Sequence, residues 1–473
     1  MDRTSHSTPA FRRGALVAVF TTVLLGAAGA ALAQGGEAAP RIDTGDTAWL
    51  LMSTAMVLLM TPGLALFYAG MVRSRNVLSM LMQSFVAMGV ATVIWVVVGY
   101  SLAFSPGSPF VGGLSWVGLS GVGMEPNADY GATVPHQAFM LFQMMFAIIT
   151  PALISGAIAE RMKFGAYVLF IAVWSVAVYA PLAHMVWGVG GFLRELGALD
   201  FAGGTVVHIS SGVSALVLAL IVGKRRTDAS EDLRPHNLPL TLIGTGMLWF
   251  GWFGFNGGSA IASNGLAASA FMVTHIAASA AALAWVLIEW CVYKKPTALG
   301  FATGAVAGLV AITPASGFVG PVAALAIGGG VSVISFCAIR AKSRLGYDDT
   351  LDVFAVHGCG GAWGALATGL FATTAINSVG ANGLFAGGGM ALLAKQAIGV
   401  VVAAGYAGVV TAIIAYALKA STGLRVPGDA EVAGLDLAEH GEAGYAGATA
   451  GVELGQAPQP AAAVHASAPA GAA

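Results

Sequence analysis

Residues 203–212 read GGTVVHISSG and residues 354–361 read FAVHGCGG. Each stretch sets a histidine, His208 or His357, deep in an apolar segment, behind a β-branched pair or near-pair and among small residues. An ionisable side chain at membrane depth is costly and usually marks a pathway. Small residues let neighbouring helices approach closely, so two imidazoles can be held in a narrow passage rather than a solvated cleft. For one such histidine taken alone, a core residue bonded to a carbonyl or hydroxyl is the simpler reading. Two at matching places in the halves of the chain favour the passage.

The composition supports a membrane setting. Of 473 residues, 57% are hydrophobic, 9% are charged and 65 are glycine, too little polarity to cover a water-soluble surface. The net charge of -1 says nothing about nucleic acid, and with no basic stripe or series of stacking aromatics none is expected as a partner. Cys291, Cys337 and Cys359 lack ligand-like spacing, so neither a disulfide frame, a metal site nor a cofactor is expected.

At the N-terminus, Arg12 and Arg13 precede an apolar run from Gly14 to Ala28 that ends in Ala31, Leu32 and Ala33. That pattern reads as a secretory signal over residues 1–33, with an uncleaved first helix as the alternative. Beyond it, apolar stretches of roughly 20 residues give eleven membrane spans. They are Thr47 to Tyr68, Leu81 to Phe104, Phe139 to Ala159, Phe164 to Trp187, Gly203 to Val222 and Leu238 to Phe255, then Ala267 to Val292, Ala298 to Ser316, Val319 to Ile339, Val353 to Ala375 and Ala397 to Leu418. The membrane domain runs over residues 34–419 and a C-terminal tail over residues 420–473.

Fifteen of the 21 Lys and Arg fall in loops on one side, among them Arg73, Arg75, Arg161, Arg225, Arg340 and Arg425. Arg41, Arg194 and Lys395 stay on the other. The positive-inside rule then gives an outside N-terminus and a cytoplasmic tail, in the inner (plasma) membrane. Eleven spans divide as five, five and one. Because the histidines fall in the fifth and tenth, the chain reads as an all-α polytopic membrane protein with an inverted five-plus-five repeat (about residues 47–222 and 238–375) and a closing eleventh helix. Such repeats place the substrate path at the midplane, between the halves.

The segments TPGLALFYAGMVRSRNVLSM, IAERMKFGAY, AHMVWG, GALDFAGGTVVHISSG, PHNLPL, GWFGFNGGSA, ITPASGFVGP and DVFAVHGCGG, in this order, resemble the Amt/MEP/Rh ammonium transporter family, and its bacterial Amt branch in particular. The resemblance runs from about Thr47 to about Tyr445. It implies an ammonium transporter or channel, and no enzyme. It implies an outer recruitment site for ammonium built from Trp187, Phe142 and Ser259, a gate of Phe142 and Phe255, and twin pore histidines His208 and His357. In the charge-derived topology Phe142 begins an inward helix, while Trp187, Phe255 and Ser259 end outward ones, so all four lie at the outer mouth.

The residue types suit that task. A partly dehydrated ammonium ion gains about 0.5 to 2 kcal/mol from each well-placed aromatic face, and a serine oxygen can accept one N–H bond. Trp252, Phe255 and Ser259 follow an i, i+3, i+7 spacing that one helical stripe can present; an interfacial aromatic belt is the plainer reading of the same stripe. Deeper in, a charge at mid-bilayer costs at least about 2.5 to 3.5 kcal/mol. Neutral ammonia escapes that cost, and neutral imidazoles sharing one proton can match its lone pair and N–H groups. The proton then stays outside or travels along the histidines, and the sequence leaves both open.

Asp200, eight residues before His208, reads as a helix cap with an electrostatic contribution, and Trp252 as further support. Asp352 reads as the cap of the His357 helix. His184 and His275 read as core histidines. The Gly-rich run around Ser259 leaves a weak alternative, an intramembrane serine hydrolase using a histidine base.

The tail from Ser421 to Tyr445 is polar and acidic, and the chain beyond about residue 455 lacks apolar periodicity and is expected to be disordered. The resemblance further implies ammonium or ammonia as substrate with methylammonium as analogue, membrane lipid as surroundings, a homotrimer, and a PII-type nitrogen regulatory protein at the cytoplasmic face. A sensor that binds ammonium without appreciable transport is the other non-enzymatic reading.

Overall fold

Eleven helical rods make up the body of the protein, seen in a computed structural model that describes residues 41–226 and 233–445. The expected signal over residues 1–33 and the end of the tail lie outside the described residues. The rods are α1 (Thr44–Met71), α2 (Val77–Ile94, continuing through Trp95–Gly99 into Tyr100–Phe104), α3 (His136–Ile158) and α4 (Phe164–Trp174, Ser175–Tyr179 and Ala180–Trp187). They continue with α5 (Gly204–Val222), α6 (Leu238–Gly258), α7 (Gly265–Tyr293), α8 (Ala298–Ile312), α9 (Pro321–Leu345), α10 (Phe354–Cys359 and Gly360–Phe371) and α11 (Ala391–Ser421). Among the described residues, nine are long and apolar enough to cross a membrane, and α8 is a shorter apolar helix. The fold is an all-α polytopic membrane fold.

Local signals set the helix ends. The Asn237 side chain accepts from Leu240 N at the start of α6, Asn264 from Leu266 N and Ala267 N at the start of α7, and Thr297 from Gly300 N at the start of α8. Each satisfies a backbone donor that the first helical turn would otherwise leave unpaired. Two rods stop earlier than hydropathy suggests. α8 ends at Ile312, just before Thr313-Pro314, and α10 ends at Phe371 rather than Ala375. The loop between α2 and α3 forms a small antiparallel hairpin, β1 (Pro126–Asn127) with β2 (Gly131–Pro135).

Helices five apart in order meet at the centre, α1 along α6 and α5 against α10, as a five-plus-five repeat with an added eleventh helix requires. Arg161, fully buried at one end, ties the two halves together. Its five N–H groups donate to Gly223 O, Ala159 O, Thr350 Oγ1, Ala157 O and Asp348 O, at 2.5–3.1 Å. Beside it, buried Glu160 pairs with Arg73 and Arg225. Burial alone would raise the Glu160 carboxyl, but the two guanidiniums hold it below the usual carboxylate range. The tail docks on the same end: Lys163 N donates to Leu424 O, Leu435 N to Asn76 Oδ1 and Ser79 N to Asp436 Oδ1. Lys395 lies near Gly197, away from this basic cluster, as the charge count expects.

Candidate functional site

Both histidines sit in π-helical turns, His208 in Gly204–Ile209 and His357 in Phe354–Cys359. Such turns are rare and recur at functional positions. The small residues of the two motifs explain how they meet. A Cβ at Gly212 would stand 2.5 Å from Gly358 Cα, so α5 and α10 cross backbone to backbone. That approach brings His208 Nδ1 to 3.2 Å from His357 Nδ1, with ring centroids 5.3 Å apart and planes 26° from parallel. The two residues are 1% and 3% exposed. With the Nδ1 atoms sharing one proton, one ring carries N–H at Nε2 and the other a lone pair. His208 Nε2 is buried without a hydrogen-bond partner.

Asp200 caps the first of these helices. Its Oδ1 accepts from Gly203 N and Gly204 N, each at 2.7 Å, and its Oδ2 from Thr205 N at 2.8 Å and from the Thr205 hydroxyl. Gly203, at φ +114°, turns the chain into the helix in a conformation other residues resist. On α10 the equivalent carboxylate is Asp349, also eight residues before its histidine. It accepts from Val353 N at 3.1 Å and Phe354 N at 2.7 Å. The capping expected of Asp352 therefore falls to Asp349. Asp352 instead adopts φ +60° and pairs with Lys342, because the turn directs its carboxylate to α9. Burial, with Asp352 nearby, pushes Asp349 up to about 6.

At the other end of the paired rings stands an aromatic stack. Phe255 lies 6.0 Å from His208 and near-parallel to it, and Trp252 stacks on the same imidazole at 5.5 Å. Trp252 is thus beside the histidine rather than at the mouth, anchored by Nε1 donating to Thr313 Oγ1. The ring against Phe255 is Phe146, at 4.3 Å, rather than Phe142 as the sequence reading had it. Phe142 sits one turn earlier on α3, edge-on to Phe146 at 5.0 Å, and so touches the stack from behind. Trp187 meets Phe146 at 6.1 Å and donates from Nε1 to Asp200 O. Ser259, half-buried at the end of α6, donates its hydroxyl to Phe255 O. Phe146 is the residue sequence reasoning missed, although its i+4 relation to Phe142 in FQMMF was visible.

Beyond the Phe146–Phe255 stack lies a cavity of about 190 Å³. Phe255, Trp252, His208 and His357 line one part of it, apolar Leu64, Ile149 and Val306 the walls, and Thr350 and Asp352 the tail-side end. His184 is a core residue, its ring nitrogens against Ala103 O and Ser108 O. His275 is not. It is exposed on α7, packed on Trp249 and Phe253 of α6, because its face of α7 turns away from the bundle centre. Among the described residues no group of histidines, cysteines and carboxylates could hold a metal ion.

Known proteins resemble this chain over most of its length. The family model for the Ammonium Transporter Family matches residues 48–445. The chain is 52% identical over 406 residues to an ammonium transporter of Bacillus subtilis, covering 85% of this chain and 99% of that one, and 46% identical over 405 residues to Ammonium transporter Amt1 of Archaeoglobus fulgidus, covering 85% and 100%. Among solved structures, Saccharomyces cerevisiae Mep2 superposes with a TM-score of 0.77 at 35% identity, covering 82% of this chain and 89% of that one. A sensor Amt protein superposes with a TM-score of 0.76 at 32% identity, covering 84% and 98%. With that model matching residues 48–445, most of the chain, the chain belongs to the ammonium transporter family.

Proposed function

We propose that the protein moves ammonium nitrogen across the membrane as neutral ammonia. The observation that carries this reading is the buried His208–His357 pair at 3.2 Å, beside an apolar cavity and beneath stacked Phe146 and Phe255. Ammonium is recruited at the outer mouth, where the faces of Trp187 and the phenylalanines and the free lone pairs of the Ser259 hydroxyl favour a partly dehydrated cation. The stacked rings leave no space for a hydrated ion. Asp200, held by backbone N–H groups and tied to Trp187 through its own carbonyl, adds negative potential just inward of the mouth. The ion gives up a proton there, and ammonia passes the imidazoles, which offer one donor and one acceptor in a lumen too apolar for charge.

The N-terminus lies outside and the tail in the cytoplasm, in a bacterial inner membrane, as the basic cluster around Arg73, Arg161 and Arg225 supports. The protein acts as a homotrimer with one path per subunit, and a PII-type protein meets the face formed by the docked tail. Similarity to a sensor Amt protein favours one second reading, binding without appreciable transport. Current recording on supported membranes during an ammonium jump tests the route of the proton. Sustained current that disappears in both His208→Leu and His357→Leu supports a relay along the rings; the absence of any charge movement removes the relay.

A further inference from the structure

Between α8 and α9 the chain makes an irregular turn over residues 313–318, all of them buried. Non-helical backbone at membrane depth is tolerated only where protein covers it or it lines a cavity. In membrane proteins built from inverted repeats, a short or interrupted apolar segment points to the substrate site. α8 is such a segment, 15 residues long and ending at Ile312.

Two sets of contacts run from this turn to the ammonia path. Pro314 O accepts from Phe201 N at 3.1 Å, and a Cβ at Gly204 would stand 2.5 Å from Pro314 Cγ, so the turn braces the loop that Asp200 closes. Thr313 Oγ1 accepts from Trp252 Nε1 at 2.8 Å and donates to Leu309 O at 2.8 Å. An indole N–H only donates and a carbonyl only accepts, so both ends of the hydroxyl's bonding are fixed. The bond pins one edge of the indole whose face lies 5.5 Å from His208 and 21° from parallel to it. Trp252 and Thr313 are both buried, so water does not stand in for the lost partner when the oxygen is removed. A Trp252 released to rotate would let His208 tilt and lengthen its Nδ1 separation from His357.

From this chain of contacts we infer that Thr313 is a positioning residue for the paired imidazoles, acting through Trp252. Its consequence for flux rests on the transport reading, whereas its consequence for the histidine pair is measurable without transport.

The test compares Thr313→Val, which keeps the branched shape and removes the oxygen, with Thr313→Ser, which keeps the oxygen. Solid-state NMR on isotope-labelled histidines reads the nitrogen–nitrogen coupling across the Nδ1 pair, assigned by its loss in His208→Leu. Methylammonium flux into liposomes is measured on the same samples, and an unaltered thermal midpoint shows that the fold is kept. Thr313→Val should lose the coupling and reduce flux on the order of tenfold, and Thr313→Ser should stay close to wild type in both. Where Thr313→Val folds poorly, Trp252→Phe, which keeps a ring against His208 and removes the donor, should give the same loss. Wild-type coupling and flux in a folded Thr313→Val overturn the inference, and so does loss of both in Thr313→Ser. A wild type without flux, in which Thr313→Val still breaks the coupling, would uphold the positioning role and refute the transport reading.

Discussion

Gly212 of α5 and Gly358 of α10 lie in backbone contact, and this crossing fixes the 3.2 Å separation of His208 Nδ1 and His357 Nδ1. A single methyl group at Gly212 has no space, since it would meet Gly358 N and Cα, which cannot rotate away. Gly212→Ala should destabilise the protein by about 1–3 kcal/mol, the usual range for overpacking, and should reduce flux beyond any loss of folded protein. Thermal unfolding alongside methylammonium flux per folded molecule checks both effects.

The outer closure depends on Phe146 more than on Phe142, because Phe146 faces Phe255 while Phe142 only supports it. Phe146→Ala should open the constriction and raise potassium leak several-fold in liposomes, whereas Phe142→Ala should leave ion exclusion nearly intact. Equal leak in the two variants would return the gate to Phe142.

Much of this was legible in advance. Hydropathy located all eleven rods, and the paired motifs located His208 and His357, because apolar length and matched position are properties of sequence alone. The π turns were not legible, since widening a helix by one residue leaves hydropathy unchanged. Phe142 and Phe146 share one helical face, so composition could not choose between them. Depth could have: α3 runs inward, and one turn is about 5.4 Å closer to the histidines. Asp349 was overlooked in favour of Asp352 because Asp352 abuts the apolar run, yet the eight-residue offset shared with Asp200 pointed to Asp349. His275 failed as a core residue because hydropathy does not say which side of a membrane helix faces its neighbours.

Burial and neighbouring Asp352 raise Asp349 to about 6, so its neutral form is favoured by folding. For an acid raised in the folded state, the stabilising contribution is present below the unfolded value near 3.8 and is lost as pH rises through about 6. Stability measured relative to Asp349→Asn should therefore fall between pH 4 and 6, and difference infrared should show a carboxylic-acid band that titrates in that window and is missing in the variant. Titration in the ordinary carboxylate range would contradict this.

Arg161 satisfies five acceptors with five donors and is lowered by burial to about 10, still cationic at neutral pH. Lysine has three donors and no fork, so Arg161→Lys should lose at least two of these five bonds, a loss of about 2 kcal/mol or more. Thermal unfolding in detergent should show the drop, and a midpoint within error of wild type would refute the keystone role.

The central claim is that uncharged ammonia passes beside the coupled imidazoles. The most direct measurement is methylammonium flux into reconstituted liposomes, with and without a proton leak, for the wild type, His208→Leu and His357→Leu. The account predicts rapid wild-type flux and its loss in each variant, with both variants folded. Flux unchanged in both would contradict it.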